Sequence, residues 1–300
     1  GDVMSKNKKF TPLIFIPIAV AVCVLIVLAV SGHLTKTEDE KKPTAETSIS
    51  VVNDETTEPT SANTDGKVTL CAVGDNLIHN TLIDAGKQED GSYDYTCLYK
   101  NIAPVIQKYD VSVIDQETVL GGSDFEYTGY PVFNSPQEVG DAAIKAGFDI
   151  FNCANNHIMD KGSQGVMNEI EYFKKQKDIV YLGINEDEKS YNTVKYYVKN
   201  NITFALLNYT YGTNGIRITG NVVVDYIDRK TIDADIRAAR AAGAEILVVA
   251  IHWGNEYQLL PNAFQRNMAQ FLKDRGVDLI IGGHPHVIQP MQLEPNAKND

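Results

Sequence analysis

The chain has six histidines, and five of them lie in short polar segments that directly follow apolar, strand-like runs. Gly74-Asp75-Asn76-Leu77-Ile78-His79 follows the run ending at Val73, and Asp115-Gln116-Glu117 follows the run ending at Ile114. Ala154-Asn155-Asn156-His157, with Asp160 close behind, follows the run ending at Cys153. His252-Trp253-Gly254 and Gly282-Gly283-His284-Pro285-His286 complete the series, and only His33 lies elsewhere. Taken singly, each segment has an ordinary explanation: Gly-Asp is a common turn, Asn-Asn a turn or helix cap, and a lone histidine a packed side chain. Taken together they form a donor set of carboxylates, an amide oxygen and imidazoles. That set suits Mn, Fe or Zn, whereas calcium prefers an all-oxygen shell. His284-Pro285-His286 is the most specific piece, because two imidazoles on one short loop can reach one ion or two adjacent ones.

These residues can act together only if the strands before them end at a common edge. The pattern predicts strands at Lys67–Val73, Val111–Ile114, Asp149–Cys153, Ile179–Gly183, Ile202–Asn208, Ile246–Ile251 and Val277–Ile281. Helices are expected at Pro136–Ala146, Val166–Gln176, Ile232–Ala242 and Pro261–Arg275. Continuous apolar runs suit strands buried on both faces, and the interleaved helices supply the crossovers, so the expected fold is a layered α/β/α domain. In open α/β sheets ligands gather outside the carboxyl ends of the strands, which is where all five segments fall.

The order of these motifs resembles the calcineurin-like metallophosphoesterase superfamily, and most closely its bacterial capsule-synthesis (CapA-type, poly-γ-glutamate) branch. The resemblance rests on Gly74-Asp75, Asp115-Gln116-Glu117, Ala154-Asn155-Asn156-His157 with Asp160 and Gly162, His252-Trp253-Gly254-x-Glu256-Tyr257, and Gly283-His284-Pro285-His286-Val287 with Gln289-Pro290, and it covers residues about 68 to 290. It implies a metallophosphoesterase-like domain with one or two divalent transition-metal ions. Asp75 and His286, with His79 as a further candidate, would hold one ion. Asn156, His252 and His284 would hold the other, and Glu117 would bridge. His157 would be the acid or transition-state stabiliser. Two departures bear on the number of ions: His79 lies four positions after Asp75 where the superfamily has Asp-x-His, and the bridging acid is a glutamate rather than an aspartate. The family usually continues with a further strand, so the domain over residues 67–300 reads as truncated at its C-terminus.

Outside this domain, Met4 reads as the natural start, with Gly1, Asp2 and Val3 as added residues. Phe10 to Val30 is almost unbroken apolar sequence, close to the ~20 residues that cross a bilayer as a helix. Lys6, Lys8 and Lys9 precede it, which by the positive-inside rule keeps residues 1–9 cytoplasmic and delivers the rest of the chain to the outside. The expectation is a signal anchor over residues 10–31; the alternative is a signal peptide cleaved near Ala29-Val30-Ser31, giving a secreted protein. Residues 32–66 are rich in Thr, Glu, Asp, Ser and Pro and read as a disordered linker. The four cysteines are scattered and suit small buried side chains better than a disulfide framework.

With 27 basic against 39 acidic residues and a formal charge of -12, the chain lacks the excess cation that a nucleic-acid backbone requires. The leading expectation is a metal-dependent hydrolase-like protein of capsule or poly-γ-glutamate synthesis. The alternative is a non-catalytic polymer-binding assembly or export factor. Either way the expected partners are an anionic exopolymer such as poly-γ-glutamate and membrane-embedded capsule synthase subunits. Lys161, Arg217 and Tyr257 are the candidate contacts to that polymer.

Overall fold

Apolar runs that do not alternate need cover on both faces, and the computed structural model, which describes residues 66–293 and the backbone of Ser50–Asn53, supplies it with two stacked sheets. One is four-stranded and wholly parallel: β2 (Leu70–Asp75), β3 (Val111–Asp115), β4 (Ile150–Asn152) and β5 (Val180–Leu182), in that order. The other runs β1 (Ser50–Asn53), β7 (Lys195–Lys199), β8 (Ile202–Thr210), β10 (Ile246–His252) and β11 (Leu279–Gly283). In this second sheet only the β7–β8 pair is antiparallel. A small antiparallel pair, β6 (Ile184–Asn185) with β9 (Val223–Val224), forms a separate sheet next to the ends of β5 and β8.

Side-chain alternation then builds three cores. Val111 and Val113 of β3, Ile150 of β4 and Val180 and Leu182 of β5 meet Tyr197 of β7, Phe204 and Leu206 of β8 and Val248 of β10 between the sheets. The opposite face of the first sheet, through Ile114 and Phe151, packs on Val139 and Ala143 of the helix Glu138–Ala146 and on Val166, Ile170 and Phe173 of the helix Gly162–Lys174. The outer face of the second sheet, through Ala205, Leu207, Leu247 and Val249, packs on Ile232 and Ile236 of the helix Arg229–Ala241 and on Met268 and Leu272 of the helix Ala263–Asp274. The expected α/β/α layering thus becomes helices, sheet, sheet, helices. Strands covered by a sheet on one side and helices on the other give the same continuous apolar run as strands covered by helices on both, so the pattern could not separate the two.

All seven expected strands and four expected helices form, with ends displaced by a few residues. β7 was not expected. Its run Lys-Tyr-Tyr-Val-Lys is short, but the hairpin to β8 has a signal: Asn200 and Asn201 occupy the loop with φ of 49° and 63°, the left-handed pair that asparagine tolerates and a tight hairpin requires. Within the expected linker over residues 32–66, Ser50–Asn53 pairs in parallel with β7 at the sheet edge, and nearly all the rest of that stretch lies outside the described residues. The sequence there is Ser-Val-Val-Asn, a β-branched pair inside otherwise polar chain. The expected anchor over residues 10–31 lies outside the described residues; among the described residues no helix is long and apolar enough to cross a membrane.

Candidate metal centre

Four strands end at one place. Asp75 is the last residue of β2 and Asp115 the last of β3, and a register shift between Val73 and Asp75 sets these two acids side by side across the parallel pair. His252 ends β10, and His284 and His286 follow β11. Gly283, the last residue of β11, lets the second sheet approach the acids of the first: a Cβ there would lie 2.4 Å from Asp115 Oδ2 and 2.9 Å from Asp75 Oδ1. The acidic loop after β3 and the turn after β4 are bracketed by Asn155, whose Nδ2 donates to the Gln116 carbonyl at 2.8 Å and whose Oδ1 accepts from the His157 amide at 2.9 Å. His284 and His286 both adopt left-handed backbone, with φ of 93° and 53°, a strain that the surrounding contacts must hold in place.

The side chains converge on Glu117. His252 Nε2 lies 3.6 Å and His286 Nε2 3.7 Å from Glu117 Oε1. The other ring nitrogens are engaged elsewhere: His252 Nδ1 meets Asp115 Oδ2 at 2.9 Å and His286 Nδ1 meets Asp75 Oδ2 at 2.8 Å. Asn156 Oδ1 lies 2.8 Å from His252 Nε2, and the Asp75 carboxylate accepts from the His284 amide at 3.1 and 3.2 Å. Two sets of donors, Glu117 with His284 and His286 and Asp75 with Asp115 and His252, each lie close enough together to hold one ion.

Burial drives the electrostatics. Glu117 is 0% exposed, and neither carboxylate oxygen has a hydrogen-bond partner; Asp115 Oδ1 and His284 Nδ1 are likewise buried and unpartnered. An ionised carboxylate in that condition is strongly unfavourable unless a cation compensates it. Burial also lifts the Asp115 carboxyl to about 7, with Asp75 and Glu117 adding to the rise. Burial opposes charge on His252, yet Asp115 and Glu117 outweigh it and raise the imidazole to about 10. Asp75 is held below the ordinary carboxylate value although burial works the other way, because the His286 hydrogen bond and the His252 charge prevail. His286 is raised by the same bond to Asp75, and burial lowers His284 to about 4. A cluster that favours protons on His252 and His286, disfavours one on His284 and leaves both Glu117 oxygens without a partner is short of positive charge. Oxygen and imidazole donors in this mixture fit a divalent transition metal, whose binding would release those protons.

His157 stands beside the cluster, nearly buried. Its Nδ1 lies 2.8 Å from Asp160 Oδ2, which also accepts from the Phe133 amide at 2.7 Å, and the Phe133 ring meets the imidazole edge-on at 4.6 Å between centroids.

Residues 69–298 match the sequence model of the family described as bacterial capsule synthesis protein PGA_cap. The chain belongs to that family. It is 26% identical over 242 residues to the capsule biosynthesis protein CapA of Bacillus anthracis, covering 76% of this chain and 56% of that protein. It is 34% identical over 148 residues to the PGA biosynthesis protein CapA of Bacillus subtilis (strain 168), covering 49% of this chain and 39% of that one. The chain therefore spans about half the length of the curated relatives it matches. A solved structure, Haemophilus influenzae NAD nucleotidase (NadN), aligns over 64% of this chain and 33% of its own at 15% identity and a TM-score of 0.41, too remote to bear on function.

In this family member the structure brings Asp75, Glu117, Asn156, His252, His284 and His286 together and leaves His79 out. His79 is exposed, stands before the helix Asn80–Gly86 and packs edge-on against Phe133 at 5.2 Å between centroids. In its place the centre contains Asp115, which the sequence pattern marks only as one acid of its loop; the donor sets also divide differently from the expected pairing, with His284 and His286 on one side. Of the expected substrate contacts, Lys161 Nζ donates to Thr128 Oγ1 at 2.9 Å, Arg217 is exposed on the loop after β8, and Tyr257 is exposed with its ring 6.0 Å from that of His286. That same loop supplies two neighbours the sequence did not announce: Tyr211, whose ring lies 4.8 Å from His284, and Asn214, whose amide approaches both Asn156 and His157.

Proposed function

We propose that this chain is a metal-dependent, hydrolase-like member of the capsule-synthesis family, anchored through residues 10–31 and working outside the membrane on an anionic exopolymer such as poly-γ-glutamate or on a phosphoester precursor of one. The observation that carries the proposal is Glu117: a fully buried carboxylate with two unpartnered oxygens, between the Nε2 atoms of His252 and His286. Asp75, Asp115, Glu117, Asn156, His252, His284 and His286 would hold one or two divalent ions, for which Mn, Fe and Zn are the fitting choices. Such ions polarise a bound phosphoryl or carbonyl oxygen and make water a nucleophile near neutral pH.

The chain's own residues supply the rest. Asp160 accepts from His157 Nδ1–H, which fixes the tautomer and leaves Nε2 free to carry the proton that a leaving group needs. The buried Phe133 ring packs edge-on against that imidazole. Lys161, Arg217 and Tyr257 would hold flanking parts of the substrate, and membrane-embedded synthase subunits are the expected partners. The test is hydrolysis of a panel of phosphoesters and of poly-γ-glutamate by the chain loaded with Mn, Fe or Zn. Turnover that depends on the ion supports the proposal, and no turnover on any substrate contradicts the hydrolytic part of it. A second reading, a non-catalytic assembly factor, is favoured by the large apolar side chains exposed on the segments that follow β10 and β11, Tyr257, Leu259, Leu260 and Ile288; under it, variants of the centre would change polymer binding alone.

A further inference from the structure

Resting on the phosphoester reading above, we infer that Asn214 is a substrate-contact residue whose side-chain amide binds a non-bridging oxygen of an anionic, phosphate-like group at the metal centre. Asn214 Oδ1 accepts from Asn156 Nδ2 at 3.5 Å, which turns Asn156 Oδ1 toward His252 Nε2 and the ion site. Asn214 Nδ2 lies 3.4 Å from His157 Nδ1. That nitrogen cannot both donate to Asp160 at 2.8 Å and accept from Asn214. The shorter contact to a charged acceptor wins, because charge-assisted hydrogen bonds are about twice as strong as neutral ones. Asn214 Nδ2 is therefore left with no acceptor among the described residues. Asn214 is an exposed residue, and its amide meets both an expected ion ligand, Asn156, and His157, the residue expected to protonate the leaving group.

The loop presents this amide in a fixed position. Thr213 Oγ1 donates to the Ile216 carbonyl and meets the Tyr226 hydroxyl, both at 2.9 Å. Asn214 itself adopts φ of 50°, a left-handed conformation in which asparagine is among the few tolerated side chains. At the head of the same loop Tyr211 packs against His284, so the wall that carries Asn214 is also fastened to the histidine pair.

The experiment measures binding of inorganic phosphate to the metal-loaded chain by calorimetry, with metal content determined in parallel. Asn214→Ala should weaken phosphate about tenfold or more, the usual loss for a hydrogen bond to a charged group, while metal content stays at the wild-type level. Asn214→Asp should weaken it further, since a carboxylate would face the anion. Unchanged phosphate affinity in Asn214→Ala overturns the inference while leaving the hydrolase reading intact. Loss of metal in Asn214→Ala overturns it as well, by showing that the residue serves Asn156 and not substrate. A metal-loaded wild-type chain that binds no phosphate removes the phosphoester reading and the inference together.

Discussion

Glu117, His252, His284 and His157 separate the two jobs of the centre, holding an ion and moving a proton. Replacing His252 or His284 by Ala removes an imidazole from the ion site, and metal content should fall together with any activity. His157→Ala should keep its metal while turnover drops by about 10² to 10⁴, the range for loss of a positioned acid or base; loss of metal would make His157 a ligand and reverse the assignment. The imidazoles of the centre were legible in the sequence because they follow short apolar runs that read as strands, five such segments in one chain. Asp115 was not, since Asp115-Gln116-Glu117 offers two acids and only the irregular register of β2 on β3 selects Asp115 as the neighbour of Asp75. His79 misled for a related reason. Two further residues between it and Asp75, relative to Asp-x-His, carry it onto the start of a helix and away from the strand end.

Between elements, the approach of β11 to β2 and β3 is the dimension that matters most. Gly283→Ala changes no ligand, yet its Cβ would clash with both Asp115 and Asp75 and meet His252 Nδ1 at 3.2 Å. Overpacking of this kind costs about 1–3 kcal/mol, so the variant should show weaker metal affinity and a lower Tm, both measurable without a substrate. Glu169, on the helix Gly162–Lys174, gives a pH prediction remote from the centre. Burial pushes its carboxyl up to about 8 while the Leu120 amide donates to Oε2 at 3.0 Å. In the unfolded chain a glutamate titrates near ~4.3, so between about pH 4 and 8 the folded state keeps a proton that the unfolded state releases. Stability should therefore fall as pH rises through that window. Glu169→Gln, which can accept from Leu120 without titrating, should gain on the wild type between pH 5 and 8 in chemical denaturation; parallel curves would refute the neutral buried acid. The strands and helices around these sites were readable from their apolar runs, whereas the stacking of two sheets was not, because a buried strand carries no mark of what covers it. β7 escaped because its five residues are half polar at the ends, and only the Asn200-Asn201 turn betrays it.

The whole chain joins a charge of -12 to a centre that lacks positive charge, which favours a cation over a polyanion as the first thing it binds. Its expected topology rests on Lys6, Lys8 and Lys9 before the apolar run, so protease added to intact cells should digest the folded part; protection would place that part inside. The central claim is that buried Glu117 and its imidazoles are completed by a divalent transition metal, and elemental analysis of the purified chain tests it most directly. After exposure to Mn, Fe(II) or Zn and exhaustive dialysis, the wild type should retain at least one ion per chain, and Glu117→Gln and His284→Ala should retain far less. A folded wild-type chain that retains none of the three metals, or variants that retain as much as the wild type, would contradict the account.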